Sequence, residues 1–193
     1  MPKFILASAS PRRKELLSSL GVEFEIIVPS IDENDIGDLK EPEKIATYLS
    51  YKKACEILKT NKNSCVIAAD TIVVCNNQIF GKPQNQEHFF KMFQQLNNNY
   101  HKVITGLTVL YKDYLYSDSI TTNIKFKFIS DVELENYWNS NEPQDKAGGY
   151  GIQGLGGRFV ERIDGSFTNV VGLPIERLKE VIDEVVAYEK ITC

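Results

Sequence analysis

The sequence predicts an α/β protein built on a mixed β-sheet flanked by helices. Apolar runs of strand length alternate with stretches of helical period along almost the whole chain. Two strand-length runs, 102–112 and 115–129, are joined near Lys112-Asp113, which reads as a hairpin and puts an antiparallel pair into the sheet. With 193 residues, 42% of them hydrophobic, the chain is long enough for one domain with a sizeable core, taken here as 1–193.

The elements follow in order. Residues 3–7, around Phe4-Ile5-Leu6, read as a buried strand. A helix over 11–20 comes next, with Ser10 as N-cap, Pro11 as first helical residue and Leu16, Leu17 and Leu20 on its apolar side. Residues 24–28 are a second strand, and 29–40 an acidic loop holding Asp32, Glu33, Asp35 and Asp38. A helix runs from Glu41 to about Leu58. Residues 65–75 form a long β-rich run that Asn76-Asn77 turns into Gln78-Ile79-Phe80, and Gly81-Lys82-Pro83 ends the pattern. A helix over 86–96 sets Phe89, Phe90, Phe93 and Leu96 on one side. After the hairpin come a short helix over 131–140 and a glycine-rich segment, 145–157, ordered only by its context. Residues 159–163 are a strand, Asp164-Gly165 a hairpin turn signal, and 174–188 an amphipathic helix with Ile175, Leu178, Ile182 and Val185 in its stripe.

Composition narrows the function classes. A net charge of −4 argues against a broad nucleic-acid surface, which needs a basic field, but leaves room for a small phosphorylated ligand held by a few cations. The four cysteines, Cys55, Cys65, Cys75 and Cys193, form no Cys-x-x-Cys pair. With two histidines beside them, they do not suggest a zinc cluster. Cys55 and Cys75 sit in apolar contexts and read as small core residues. No run resembles a signal peptide or reaches membrane-spanning length, so a reducing, cytoplasmic setting is expected.

Chemistry concentrates first in Ser8-Ala9-Ser10-Pro11-Arg12-Arg13. A helix N-terminus carries partial positive charge and favours acidic side chains, yet Arg12, Arg13 and Lys14 occupy this one. A bound anion, such as a phosphate chain, explains them; a strand-turn-helix with a solvated basic face is the alternative. Asp70 lies on a strand face with Val66, Ala68, Ile72 and Val74. A carboxylate there is costly unless it is paired or bound to metal. It suits a divalent cation or a general base, against the plainer reading of a strand-end cap. Lys53 follows Ile45 and Leu49 at steps of four and precedes Ile57, so it falls in an apolar stripe. Taken alone it reads as a lysine that snorkels to water, with Lys52 more solvated. Lys82, between Gly81 and Pro83, suits either a rigid loop offering a cation to phosphate or a surface turn. Asp32-Glu33 on its own is an acidic loop. The 145–157 segment holds no P-loop and no clean dinucleotide fingerprint. Its glycines allow close backbone approach to a ligand, and Gln153 could read a base edge; a flexible surface loop is the alternative. His88 reads as helix surface, His101 stays open, and Trp138 reads as core or interface.

Together these pieces resemble the Maf family of nucleoside triphosphate pyrophosphatases over nearly the whole chain. The family's Ser-x-Ser-Pro-Arg-Arg opening is matched from Ser8 to Arg13, and its acidic element by Ile31-Asp32-Glu33. Leu49-Ser50-Tyr51-Lys52-Lys53-Ala54 matches its Leu-Ala-x-x-Lys-Ala helix motif, which selects Lys53 over Lys52. Ala69-Asp70-Thr71-Ile72-Val73, Gly81-Lys82-Pro83, the Asp-Lys-Ala-Gly-x-Tyr-Gly-Ile-Gln-Gly block at 145–154 and Asn-Val-Val-Gly-Leu-Pro at 169–174 follow in the family's order. Two departures stand out. Asn97-Asn98-Asn99 replaces the common Ser-Gly before the His-x-Val segment, and Phe167 replaces a tyrosine.

The resemblance implies a bent mixed sheet in two lobes with a central cleft, as in the inosine triphosphate pyrophosphatase-like superfamily. It implies hydrolysis of a nucleoside triphosphate to the monophosphate and pyrophosphate, aided by Mg²⁺ or Mn²⁺. The form of the 145–154 block is similar to the subfamily acting on dTTP, UTP and some modified uridine nucleotides, a house-cleaning of the nucleotide pool. Asp70, Lys53 and Lys82 would then be catalytic, and Glu33 and Asp70 would hold the metal. Ser8, Ser10, Arg12, Arg13, Thr71 and Gln153 would bind substrate. No nucleic-acid or membrane partner is implied, and relatives suggest a homodimer. A non-catalytic nucleotide-binding regulator of septum formation is the competing reading, and a nucleotidyltransferase, which needs a second substrate, a further one.

Overall fold

The computed structural model describes residues 2–192, with nothing described for the Thr192 side chain; Cys193, one of the four cysteines discussed above, lies outside the described residues. The strands are β1 (Lys3–Leu6), β2 (Phe24–Ile26), β3 (Ser64–Cys75), β4 (Gln78–Phe80), β5 (Tyr100–Tyr111), β6 (Tyr114–Phe126) and β7 (Val160–Asp164). The helices are α1 (Pro11–Ser18), α2 (Pro42–Thr60), α3 (Gln86–Leu96), α4 (Asp131–Asn139), α5 (Phe167–Val171) and α6 (Ile175–Thr192). The seven described strands form one sheet in the order β2-β1-β3-β5-β6-β7, with β4 paired to β3. It is mixed, as expected: β1 runs parallel to β2 and β3, while β3 with β4 and β6 with β7 are antiparallel.

The chain divides into two compact units, neither a continuous stretch. Unit 1 holds 1–70, 105–120 and 172–193; unit 2 holds 71–104 and 121–171.

In unit 1 strand alternation sorts the core into two layers. Phe4, Leu6, Cys65, Ile67 and Ala69 face Leu17 of α1 and Leu178, Val181, Ile182 and Val185 of α6. Their chain neighbours Ile5, Ala7, Val66 and Ala68 face Ala54 and Ile57 of α2. Helices therefore cover both faces of these parallel strands, as buried parallel strands require. Gly106 of β5 brings α2 close, since a Cβ there would lie 2.1 Å from the Ala46 carbonyl oxygen. Ser50 Oγ and Thr108 Oγ1 meet at 2.8 Å in the same contact.

Unit 2 is built on aromatic side chains. Phe89 and Phe93 of α3, Phe126 of β6, Tyr137 of α4, Tyr150 and Phe159 are all buried in one cluster. Asn85 caps α3 by accepting the His88 N–H, and Ser130 and Glu133 form a reciprocal capping box on α4. Asn98, in the turn before β5, takes φ 49°, a left-handed conformation that asparagine tolerates better than most residues.

One turn departs from the sequence reading. Asp164-Gly165 does not open a hairpin: the chain enters α5, whose Asn169 N–H is accepted by Ser166 Oγ, and among the described residues no strand follows Gly165. The 145–157 segment is ordered into short 3₁₀ turns at Ala147–Gly149 and Leu155–Phe159, preceded by another at Glu142–Asp145. His88 is half-buried, its Nδ1 accepting the Gln84 N–H. Cys75 is buried as expected, whereas Cys55 is only partly buried.

Candidate active site

The first half of the site grows from β1 and α1. Ser10 is the N-cap, its Oγ accepting the Arg13 N–H at 3.4 Å, and the first turn holds no acidic residue. Ser8, almost fully buried, accepts the Ser10 N–H at 3.1 Å and a contact from Arg13 Nη1 at 3.4 Å. Arg13 Nε donates to the Gly172 carbonyl at 2.8 Å. This fixes the guanidinium inward rather than letting it wave in solvent, which disfavours the solvated-face reading for this residue. Burial lowers the Arg13 pKa from its ordinary value, while the charges of Asp70 and Glu33 oppose that shift. The opposing influence places both carboxylates within electrostatic reach of the helix start.

Strand parity puts Asp70 on the α2 side of β3, and α2 carries Lys53 on the matching face. Asp70 is 7% exposed and Lys53 6%. Lys53 Nζ donates to Asp70 Oδ1 at 2.6 Å and lies 2.6 Å from Glu33 Oε1. The snorkelling reading of Lys53 is thereby overturned: its stem is buried and its ammonium bridges two acids. Lys52, one residue earlier, reaches outward to Asp35 at 2.8 Å. That bond ties the 29–40 loop to α2 close to Glu33, a link the sequence did not reveal. Asp32 Oδ1 accepts the Asn34 N–H at 2.9 Å, so this acid turns the loop.

Unit 2 carries the other predicted residues. Thr71 follows Asp70 on β3 and is partly buried, and Lys82 is exposed in the loop between β4 and α3. Gln153 is exposed in a turn closed by the Gly154 N–H on the Gly151 carbonyl at 3.2 Å.

Sequence reasoning missed Glu142. Its Oε2 accepts the Leu155 N–H at 2.8 Å; its Oε1 accepts the Gly156 N–H at 3.0 Å and the Tyr137 hydroxyl at 2.9 Å. Tyr137 in turn accepts the Gly151 N–H at 3.1 Å. A Cβ at Gly154 would lie 2.3 Å from Glu142 Oε2, and one at Gly156 2.5 Å from the Tyr137 hydroxyl. The close approach these two glycines allow is to the protein's own side chains. Burial alone would raise the Glu142 pKa, yet the N–H groups of Gly156 and Leu155, the Tyr137 hydroxyl and Lys146 outweigh it and hold the carboxyl below its usual range. His101 was also left open by the sequence: it is buried, its Nε2 2.8 Å from the Tyr150 hydroxyl, with burial lowering its pKa to about 3.

A capped helix start with an inward arginine, beside a lysine shared by two carboxylates, suits oxygen-rich anions. The fold is that of an α/β protein with a mixed sheet. Comparison with known proteins narrows this: the family model of Maf-like proteins matches residues 3–185, and the chain belongs to that family. A dTTP/UTP pyrophosphatase of Thermosipho africanus is 48% identical over 93% of this chain and 92% of its own length. Proteins of the same name from Clostridium perfringens, strain SM101, and Vibrio vulnificus, strain YJ016, are 45% and 41% identical. They cover 94% and 95% of this chain and 96% and 99% of their own. The Ham1 protein of Staphylococcus aureus superposes at a TM-score of 0.45, with 15% identity over 64% of this chain and 71% of that one.

Proposed function

We propose that this chain hydrolyses nucleoside triphosphates to the monophosphate and pyrophosphate, with dTTP and UTP, and modified uridine triphosphates among them, as substrates. The observation that carries the reading is the buried Lys53–Asp70 pair, with Glu33 on the same ammonium and Arg13 at a helix N-terminus in the same unit. The printed names of relatives above 40% identity support the substrate class. The family match runs through both units, which supports reading 1–193 as one domain. Among the described residues no helix is long and apolar enough to cross a membrane. A cytoplasmic homodimer belongs to the same proposal, on family resemblance alone.

In this reading Asp70 is the general base. Lys53 engages Oδ1, and Oδ2 takes the proton of a water that attacks the α-phosphorus. The new O–P bond forms as the bond to the bridging oxygen of the β-phosphate breaks, and pyrophosphate leaves with that electron pair. Arg12, Arg13, Lys53 and Lys82 offset the charge that develops on the phosphates, with Ser8, Ser10 and the α1 N-terminus as further donors. Thr71 and Gln153 bind substrate, Gln153 through the base.

Glu33 and Asp70 fit a divalent cation. They offer hard carboxylate oxygens already held around one positive charge, and Mg²⁺ is commonly held by one or two carboxylates together with substrate phosphates. Bound there, Mg²⁺ or Mn²⁺ would supply charge stabilisation at the phosphate oxygens and a more acidic water.

The test is a panel of canonical and modified nucleoside triphosphates with Mg²⁺ or Mn²⁺, scoring pyrophosphate and orthophosphate separately. Pyrophosphate with dTMP or UMP is expected. Nucleotide binding without turnover by the folded protein, with either metal, would overturn the enzyme reading in favour of a regulator.

A further inference from the structure

We infer that Glu142 is a positioning residue for base selection: its carboxylate fixes the backbone that presents Gln153. The inference rests on the proposed role of Gln153.

The segment from Gly151 to Gly156 has no regular ladder to hold it, so its backbone N–H groups need other acceptors. Glu142 provides them at one end, through Leu155 and Gly156. At the other end it acts through Tyr137, whose hydroxyl donates to Glu142 Oε1 and accepts the Gly151 N–H. One carboxylate thereby determines the separation of the two ends between which Gln153 sits. The left-handed Asn141, φ 62°, immediately precedes Glu142, and Lys146 Nζ donates to the Glu142 carbonyl at 2.8 Å, so the acid's own backbone is also tied. Gly154 leaves no room for a side chain between the loop and the carboxylate.

A carboxylate accepting three uncharged donors, two loop N–H groups and the Tyr137 hydroxyl of α4, serves no proton transfer that the reaction requires. Its geometry instead predicts an effect on which base is accepted. Without it, Gln153 samples more backbone states, and the amide that must meet a base edge is no longer preorganised. Discrimination between bases should then weaken while the chemistry at the α-phosphorus proceeds.

The experiment compares Glu142→Ala, Glu142→Gln and Tyr137→Phe with wild type. It measures kcat and KM for dTTP, UTP, CTP and GTP, with circular dichroism to establish folding. Glu142→Ala should lower the kcat/KM ratio of dTTP to CTP about tenfold, the scale of one lost hydrogen bond in discrimination. The loss should appear mainly as a higher KM for dTTP, with kcat changed less. Glu142→Gln keeps an acceptor at Oε1 but turns an N–H₂ toward Leu155, so it should lie between wild type and Glu142→Ala. Should Glu142→Ala fail to fold, Glu142→Gln and Tyr137→Phe carry the same test, each expected to reduce the ratio. An unchanged ratio in the folded variants overturns the inference, as does a fall confined to kcat for every base. Gln153→Ala separates the two claims. If it leaves the ratio intact, the role given to Gln153 is wrong and the inference falls with it. If it collapses the ratio while the Glu142 variants do not, only the role given to Glu142 is wrong.

Discussion

Asp70 in unit 1 meets a lysine ammonium 2.6 Å away, whereas Glu142 in unit 2 meets a hydroxyl and two backbone N–H groups. Both carboxylates are drawn from water, and both are satisfied, but by different means. The Asp70 charge is balanced by a countercharge on a flexible stem, which can be shared with Glu33 and shifted when an anion or cation arrives. The Glu142 charge is solvated by two loop N–H groups and a helix hydroxyl, so it cannot be exchanged without leaving those N–H groups unpaired. The first arrangement suits chemistry; the second suits shape.

The sharpest break would come at Asp70. Asp70→Asn keeps the side-chain shape and removes the base, so pyrophosphate release should fall roughly 10²- to 10⁴-fold with the fold intact by circular dichroism. Glu142→Gln in the same assay should retain most of kcat. Equal losses in kcat would erase the distinction.

Stability measurements probe the countercharge. Lys53→Met leaves Asp70 buried without its ammonium and should cost about 3 kcal/mol in urea unfolding. The double variant Lys53→Met/Asp70→Asn should regain most of that stability but none of the activity. If the single variant unfolds at the wild-type urea concentration, Arg13 and not Lys53 compensates Asp70.

Each region also has a glycine pressed against backbone. A Cβ at Gly106 would sit 2.1 Å from the Ala46 carbonyl oxygen, and one at Gly157 2.4 Å from that of Ile152. Alanine at either position should destabilise by about 1–3 kcal/mol. Gly106→Ala displaces α2 and with it Lys53, so turnover of every substrate should drop. Gly157→Ala disturbs the loop, so the ratio between bases should change more than turnover itself.

A pH series adds a smaller effect in unit 2. His101 is held neutral by burial, its pKa lowered from 6.5 to about 3. Between those values the unfolded chain binds the proton that the folded protein refuses. Stability is therefore full above about pH 6.5 and declines as pH falls, at roughly 1 kcal/mol per pH unit from this group. His101→Gln should show a shallower decline in thermal melts over that window. The smallest effect is expected from Ser10→Ala, about 1 kcal/mol through loss of the α1 cap. A wild-type melting temperature in that variant would mean that the cap contributes nothing to stability.

Local patterns made much of the fold legible. α3 spans the residues 86–96 that helical period assigns it, and the turns at Asn76-Asn77 and Lys112-Asp113 contain the positive-φ residues their positions demand. The Asp70 face followed from strand parity, because side-chain direction in a strand depends only on counting. Shorter signals misled. Asp164-Gly165 looks like a hairpin turn but leads into the five-residue helix α5, which is too short to show a helical period.

The sequence by itself determined the class of fold, the order of its elements apart from α5, the capped basic helix start and the acid on an apolar strand, since each depends on residues close together in the chain. Only the tertiary structure decided that the Lys53 ammonium is buried between Asp70 and Glu33, and that Glu142 gathers the ends of the glycine-rich loop. Lys53, on α2, meets an acid on β3, and Glu142 meets backbone thirteen and fourteen residues away. Neither contact has a local sequence pattern, because what satisfies a buried charge is whatever packing brings within hydrogen-bond reach.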